Sequence, residues 1–214
     1  MTMTTFGFEF PSAKSNWCSV KRCMDVVLCL ISLPILLPLF MVLAAAIKLT
    51  SKGPVFFTQT RVGKHGHHFK MIKFRSMYQS AEEQLSAVQT LNERSGPCMK
   101  IRHDPRITGV GRILRRWSLD ELPQIFNVLV GHMSLVGPRP ALVEEVQEYP
   151  SEALRRHAVL PGITGLWQVS GRADANFDEM IRLDLEYVEN RSTRNDIAIL
   201  FRTVNAVLSG KGAY

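Results

Sequence analysis

Apolar and polar positions divide the chain into one long apolar run and a series of shorter alternating and helical patterns behind it. From Val26 to Ile47 stand 22 residues without a charge, VVLCLISLPILLPLFMVLAAAI. At about 1.5 Å per residue, a straight helix of that length reaches across a hydrocarbon core of ~30 Å. The run begins late and is long for a cleavable signal sequence, and Lys48 and Leu49 follow it instead of a small-x-small site, so it is expected to remain in the mature protein. Pro34 and Pro38 sit near its middle, where each removes a backbone hydrogen bond, and the Ser32 hydroxyl can satisfy a freed carbonyl. A bend is expected there. Lys14, Lys21 and Arg22 precede the run, and Lys48, Lys52, Arg61 and Lys64 follow it. Positive residues mark the cytoplasmic side, so this symmetry fits a re-entrant helix with both ends on that side; a kinked single span is the alternative.

Behind the run, residues 54–60 and 69–75 carry the aromatic and β-branched residues of two strands, joined by a Gly- and His-rich turn at 63–68 into a hairpin. Residues 78–93 read as helical. In the segment beginning near Gly111, Ile113, Leu114 and Trp117 alternate with Arg112, Arg115 and Arg116. That pattern suits either a helix at an anionic membrane surface or a buried helix with solvated arginines. Through 177–189, Phe177, Met180, Ile181, Tyr187 and Val188 form one helical face with Asp184 at its centre. A carboxylate there needs a cation, a donor or a metal ion, which leaves a salt bridge to an arginine and a site role both open. Ile197, Leu200, Phe201, Val204 and Leu208 mark an amphipathic helix over 195–209 that ends at Gly210 and serves packing or interfacial contact.

With 214 residues and 46% apolar composition the chain suits a single folded unit and not a disordered segment. Its net charge of +7 is uneven: residues 1–60 carry +3, residues 61–116 carry +8 and residues 117–214 carry −4. Such a middle segment calls for an anion, whether on a nucleotide, a nucleic acid or a lipid headgroup. Cys18, Cys23, Cys29 and Cys98 form no C-x-x-C pair, which suggests neither a disulfide scaffold nor a zinc site. The run His65-Gly66-His67-His68 lacks a carboxylate or Cys at coordinating spacing and reads as a solvated turn.

Candidate chemistry concentrates in residues 115–140, RRWSLDELPQIFNVLVGHMSLVGPRP. Asp120 and Glu121 are adjacent carboxylates among arginines; together they can hold a divalent metal while one oxygen stays available for attack, an arrangement suited to phosphoryl transfer. The plainer reading makes them acids in the first turn of a helix. In Gly137-Pro138-Arg139-Pro140, prolines on both sides stiffen the backbone around one guanidinium and pre-position it for phosphate. Pro161 to Gly165, followed by Trp167-Gln168 and Gly171-Arg172, is a second rigid loop able to cradle phosphate or sugar. The chain has no G-x-x-x-x-G-K-[ST] and no G-x-G-x-x-G, which argues against a P-loop or Rossmann site.

Taken together these strings resemble the bacterial sugar transferase family, the monotopic phosphoglycosyl transferases acting on polyprenol phosphate. The resemblance rests on Lys21-Arg22 and Asp25, Gly53 to Phe57 with Gln59 and Arg61, Lys73 to Met77, Asp104 to Thr108, Leu119 to Gln124, Met133 to Pro140, Pro161 to Arg172, and Leu183-Asp184 with Tyr187-Val188. It covers residues 21–214 and is closest to the short form of the family. His132 departs from it, standing where an acid usually precedes Met-Ser, and puts a local contact in doubt.

The resemblance implies an α+β fold, mostly helical with a small β-hairpin, in a monotopic membrane protein. Its parts would be a flexible tail over 1–20, a re-entrant helix-break-helix over 21–50 broken at Ser32, Pro34 and Pro38, and a cytoplasmic catalytic domain over 51–214. Asp120 would be the nucleophile beside Glu121, forming a covalent phosphosugar-aspartate from a UDP-sugar as UMP leaves; undecaprenyl phosphate then takes the phosphosugar. Mg²⁺ would lie near Asp120, Glu121 and Asp184, while Lys73, Arg75, Arg115, Arg139 and Arg172 hold phosphate. The place of action would be the cytoplasmic face of the bacterial inner membrane, in contact with its lipids; a homodimer is admitted, the oligomeric state being open. Three other readings remain for comparison. A nucleic-acid-binding module is disfavoured because residues 61–116 hold no recognisable zinc finger or RNP motif. A non-catalytic assembly scaffold sits poorly with an intact Asp120-Glu121 pair, and a conventional glycosyltransferase would release UDP instead of UMP.

Overall fold

The computed structural model of the protein describes residues 15–93, 99, 101, 103–170 and 176–209. The apolar run lies inside α1 (Ser15–Thr50), a helix of 36 residues that starts ahead of the expected boundary at residue 21 and takes in part of the expected tail. Helical structure continues through Pro34 and Pro38, so the expected break is not an interruption of the helix. The two prolines stand four residues apart, both exposed. Ser32 Oγ donates to the Cys29 carbonyl at 2.8 Å, the backbone contact expected of a hydroxyl beside a proline.

One stripe of α1, through Lys21, Asp25, Cys29, Phe40 and Ile47, is buried against the rest of the protein. Near its start, the Lys21 ammonium meets Asp196 at 2.9 Å, Arg22 donates to the carbonyls of Val128 and Leu129, and Asp25 accepts from the Leu135 N–H at 3.2 Å. Farther along, Phe40 packs edge-on against Phe74 at 5.3 Å between ring centres, with Phe126 6.0 Å away. At its end, Lys48 Nζ donates to the Gly53 carbonyl at 3.0 Å. Leu30, Ile31, Ile35, Met41 and Val42 remain exposed on the opposite side.

The hairpin forms as its alternation predicts: β1 (Phe56–Val62) pairs antiparallel with β2 (His68–Phe74) from Phe56 opposite Phe74 to Val62 opposite His68. The expected helix over 78–93 forms only as short turns, at Gln79–Ala81, in α2 (Leu85–Val88) and at Gln89–Leu91. Leu85 and Leu91 are exposed there, leaving too narrow an apolar stripe to hold a longer helix against the core. Next come α3 (Gly109–Arg116), a 3₁₀ turn at Leu119–Glu121, α4 (Gln124–Leu129) and β3 (Ser134–Val136). The Thr108 side chain caps α3 by accepting from Gly111 N at 2.9 Å. A Cβ at Gly111 would lie 1.9 Å from the Ser76 carbonyl oxygen, so only glycine lets α3 rest directly on the chain leaving β2.

The chain then forms β4 (Ala141–Leu142), α5 (Val143–Gln147), a 3₁₀ segment at Ser151–Ala158, β5 (Gly162–Thr164), α6 (Leu166–Ser170), α7 (Phe177–Glu189) and α8 (Thr193–Ser209). β4 adds to the free edge of β1, while β3 and β5 pair in parallel as a separate two-stranded unit. On α8, Asp196 and Ile199 turn inward, whereas Ile197, Phe201, Val204 and Leu208 face outward; the apolar stripe read in the sequence is a surface feature. α3 divides similarly, with Leu114 buried and Ile113 and Trp117 exposed.

Lys21 and Asp196 tie the first turns of α1 to α8, and both are buried. Lys21→Ala leaves Asp196 with the Tyr187 hydroxyl, 2.8 Å away, but no cation paired to it. The expected cost is about 3–5 kcal/mol, read as a fall in Tm on the order of 10 °C in detergent. An unchanged melting temperature would show that the pair does not anchor the helix.

Candidate active site

Ser118 joins α3 to the Leu119–Glu121 turn in a left-handed conformation, φ 53° and ψ 25°. For a residue with a Cβ this costs roughly 1–2 kcal/mol. The reversal places Arg115, in the last turn of α3, and Asp120, just past the bend, on the walls of one cavity of about 670 Å³. Lys73 from β2, Arg61 from β1, Glu121 and Arg139 also line it. Apolar walls come from Met71, Met77, Trp117, Ile163, Trp167 and Val207.

Each cation is braced. Lys73 Nζ lies 2.6 Å from Glu121 Oε1. Arg115 Nε donates to Ser76 Oγ at 2.9 Å, which fixes the guanidinium one atom short of its terminal nitrogens. Arg139 Nη1 reaches Glu145 Oε2 at 3.0 Å, and that carboxylate also accepts from Leu142 N at 2.8 Å. The rigid Pro-Arg-Pro turn is held from behind by two further arginines: Arg156 Nη2 donates to the Arg139 carbonyl at 2.8 Å and Arg61 Nη1 to the Pro140 carbonyl at 3.0 Å.

The two carboxylates of the dyad are driven apart. Burial pushes the Asp120 carboxyl above the usual aspartate range, against the pull of Lys73; the charge of Glu121 adds to the rise and Arg115 opposes it. Burial acts upward on Glu121 too, but the Lys73 ammonium, through charge and hydrogen bond, outweighs it with help from Arg139 and Arg61 and holds Glu121 below the usual range. Glu121 is thus the settled anion and Asp120 the less stabilised, more basic carboxylate.

Of the residues singled out in the sequence, Asp120, Glu121, Lys73, Arg115 and Arg139 meet in this cavity. Arg75 does not. It follows the last residue of β2, and its guanidinium turns to the end of α1, donating to the Lys52 carbonyl and to Ser51 O at 2.9 Å. Asp184 does not join the dyad either: its carboxylate is taken by Arg156, both side chains fully buried, and it does not line the cavity. The demand for a partner on the apolar face of α7 is met by an ion pair. Arg172 lies outside the described residues. The Pro161-Gly165 loop owes a glycine to packing, since a Cβ at Gly162 would stand 2.1 Å from Gly137 N, where β5 closes on the Pro-Arg-Pro turn.

Among the described residues no group of three or more His, Cys, Asp or Glu could hold a metal ion by itself. Two adjacent carboxylates still fit Mg²⁺, which commonly takes one or two protein carboxylates and completes its shell with substrate phosphate and water. Sequence reasoning passed over Arg61 and Gln124 as site residues; Gln124 is 2% exposed, lines the cavity and stands about one helical turn after Asp120, a spacing that could have flagged it.

Comparison with known proteins gives a concordant answer. The family model "Bacterial sugar transferase" matches residues 16–210. The exopolysaccharide production protein ExoY of Rhizobium meliloti is 40% identical over 198 residues, covering 91% of this chain and 88% of that protein. The undecaprenyl-phosphate galactose phosphotransferase of Salmonella typhimurium is 43% identical over 207 residues, 94% of this chain but 43% of its own length. The undecaprenyl-phosphate glucose phosphotransferase of Komagataeibacter xylinus is 41% identical over 205 residues, 91% of this chain and 37% of its own length.

Turnover that requires ionised Asp120 falls as pH drops through the raised pKa of that group, so the acid limb of the rate profile should lie above the ordinary aspartate range. Lys73 is the strongest of the neighbours that favour the ionised form, so Lys73→Ala should move the limb further toward neutral pH besides lowering the rate. A pH–rate profile whose limb stays in place while its height falls would remove Lys73 from control of Asp120.

Proposed function

The chain belongs to the bacterial sugar transferase family, and from that premise we propose that it transfers a sugar 1-phosphate from a UDP-sugar to undecaprenyl phosphate. The observation that carries this reading is the Asp120-Glu121 dyad, its aspartate buried, in a cavity walled by Lys73, Arg61, Arg115 and Arg139. Two relatives named for moving galactose or glucose phosphate onto undecaprenyl phosphate support it.

In this reading the Asp120 carboxylate attacks the phosphorus that bears the sugar. A P–O bond to Asp120 forms as the P–O bond to UMP breaks, and its electron pair leaves with UMP. A phosphate oxygen of undecaprenyl phosphate then attacks the same phosphorus and returns Asp120 as a carboxylate. Lys73, Arg115 and Arg139 bind the charged oxygens in both halves, and their fixed positions avoid reorganisation as charge shifts. Asp120 and Glu121 are the residues that would hold Mg²⁺, whose chemical contribution when bound is to offset the diphosphate charge.

The membrane arrangement follows from α1. A straight helix carries its apolar run of 22 residues through about 33 Å. Yet α1 is buried against the catalytic domain near both ends of that run, at Lys21 and Asp25 and again at Ile47, while its opposite face is apolar and exposed. Crossing the bilayer would pull charged parts of the domain into hydrocarbon; entering one leaflet and returning leaves them in water. The outward apolar residues of α3 and α8, helices that pack against α1, suit contact with the same surface.

Two measurements test the proposal. Incubation with Mg²⁺, undecaprenyl phosphate and a panel of UDP-sugars should release UMP from at least one donor, and Asp120→Asn should abolish it; UDP as the product would make the enzyme a conventional glycosyltransferase. For topology, single cysteines at the exposed positions Val20 and Leu49, in a chain otherwise free of cysteine, should both react with an impermeant maleimide in inside-out vesicles and neither in right-side-out ones. Labelling from opposite sides would establish a span.

A further inference from the structure

Buried polar side chains in this fold are, with few exceptions, spent on structure. Asn127 is typical: its Oδ1 accepts from Ile72 N at 3.0 Å and its Nδ2 donates to the Lys70 carbonyl at 2.7 Å, which fastens α4 to β2. Gln124, three residues earlier on the same helix, is equally buried at 2% exposure, but its amide has no hydrogen-bond partner among the described residues. It lines the cavity that holds the dyad. The amide is not sealed from solvent as an orphaned buried group would be; it opens into the cavity, where it can donate to and accept from what enters.

Its position narrows the answer. Leu122 and Pro123 keep helical torsions (φ −56°, ψ −35° and φ −61°, ψ −15°), so the Leu119–Glu121 turn runs into α4 as one ribbon. Asp120 and Gln124 are therefore about one turn apart, which places their Cβ atoms roughly 5–6 Å from each other. A phosphorus attacked in line by Asp120 has three substituents around its waist: two charged oxygens and the oxygen joined to the sugar. Lys73, Arg115 and Arg139 suit the charged oxygens. A neutral amide, which donates and accepts at once, matches a hydroxyl, which does the same.

We propose that Gln124 recognises the sugar of the donor, its side-chain amide hydrogen-bonding a hydroxyl close to the anomeric centre while Asp120 attacks the adjoining phosphorus. This rests on the phosphosugar-transfer reading. Gln124 thereby holds the sugar of the donor in place while its phosphorus is attacked.

A cycle that pairs changes in enzyme and substrate tests it. The donor that wild type prefers among UDP-glucose, UDP-galactose and UDP-N-acetylgalactosamine is compared with its 2-, 3-, 4- and 6-deoxy forms in single-turnover UMP release, for wild type and for Gln124→Met. Methionine keeps the length and volume of the side chain without its hydrogen bonds. Expected is a loss of about 10- to 100-fold for Gln124→Met on the intact donor, a similar loss for wild type on one deoxy donor, and little further loss when the two changes are combined. An unchanged rate for Gln124→Met, or losses that multiply for every deoxy donor, would overturn the assignment, because a merely structural role cannot depend on a single hydroxyl. If Gln124→Met does not fold, Gln124→Asn enters the same cycle with the same criteria. Wild type releasing no UMP from any donor defeats the transfer reading and this proposal with it, whereas UMP release with multiplying losses defeats this proposal alone.

Discussion

A carboxylate that is buried and still ionised has to meet two requirements that conflict. Removing a charge from water is expensive unless opposite charge replaces the solvent. Asp120 is 8% exposed, and much of the architecture around it delivers cations to its surroundings. β2 brings Lys73, β1 brings Arg61, α3 brings Arg115, and the Pro-Arg-Pro turn brings Arg139. These cations repel one another, so none can be left to find its own place. Glu121, Ser76, Glu145 and the Pro140 carbonyl each hold one, and Arg156 with Asp184 forms a second layer that fixes the backbone under Arg139. The hairpin, α3 and the parallel pair of β3 and β5 are in this sense a frame for positive charge.

The same frame explains α1. A helix so apolar could be held to a polar domain by hydrophobic contact alone, as Phe40 is against Phe74 and Phe126. Such contact is non-directional, however, and lipid tails offer a helix an equivalent environment. Direction comes from its first turns, where Lys21, Arg22 and Asp25 spend their charges on Asp196, on carbonyls of α4 and on the N–H of Leu135. These directional bonds set how the helix turns about its axis relative to the domain.

Where local periodicity decides the outcome, the sequence was legible. The hairpin, α7 and α8 lie within a few residues of their expected bounds; the dyad gathers with Arg139, to which residue chemistry pointed, and with Lys73 and Arg115, which the family resemblance implied. Legibility ended where the partner is remote or the backbone unusual. Asp184 was recognisable as a carboxylate in need of a partner, but nothing local could identify Arg156, 28 residues earlier, as the one that meets it. Lys73 and Arg75 share strand parity, which predicts a common direction; Arg75 escapes that rule because β2 ends at Phe74, and its side chain follows the carbonyls at the end of α1. The left-handed turn at Ser118, which brings Arg115 and Asp120 to one wall, has no glycine or asparagine to announce it. At Pro34 and Pro38 the expectation rested on missing hydrogen bonds, and helical structure runs through both positions without interruption.

The proposed reaction joins a water-soluble donor to an acceptor whose phosphate stays at the headgroup level, so the cavity must open at that level. Trp117 and Val207 belong to its lining, and they sit at the end of α3 and on α8, two helices that carry exposed apolar residues. Chemistry and anchoring are therefore built on shared elements. A change in the depth of α3 or α8 would displace the wall of the cavity together with Arg115, whose placement depends on α3 resting against Ser76 through Gly111. In the proposed arrangement, attachment to the surface and assembly of the phosphate-binding cations are coupled through α3 and α8.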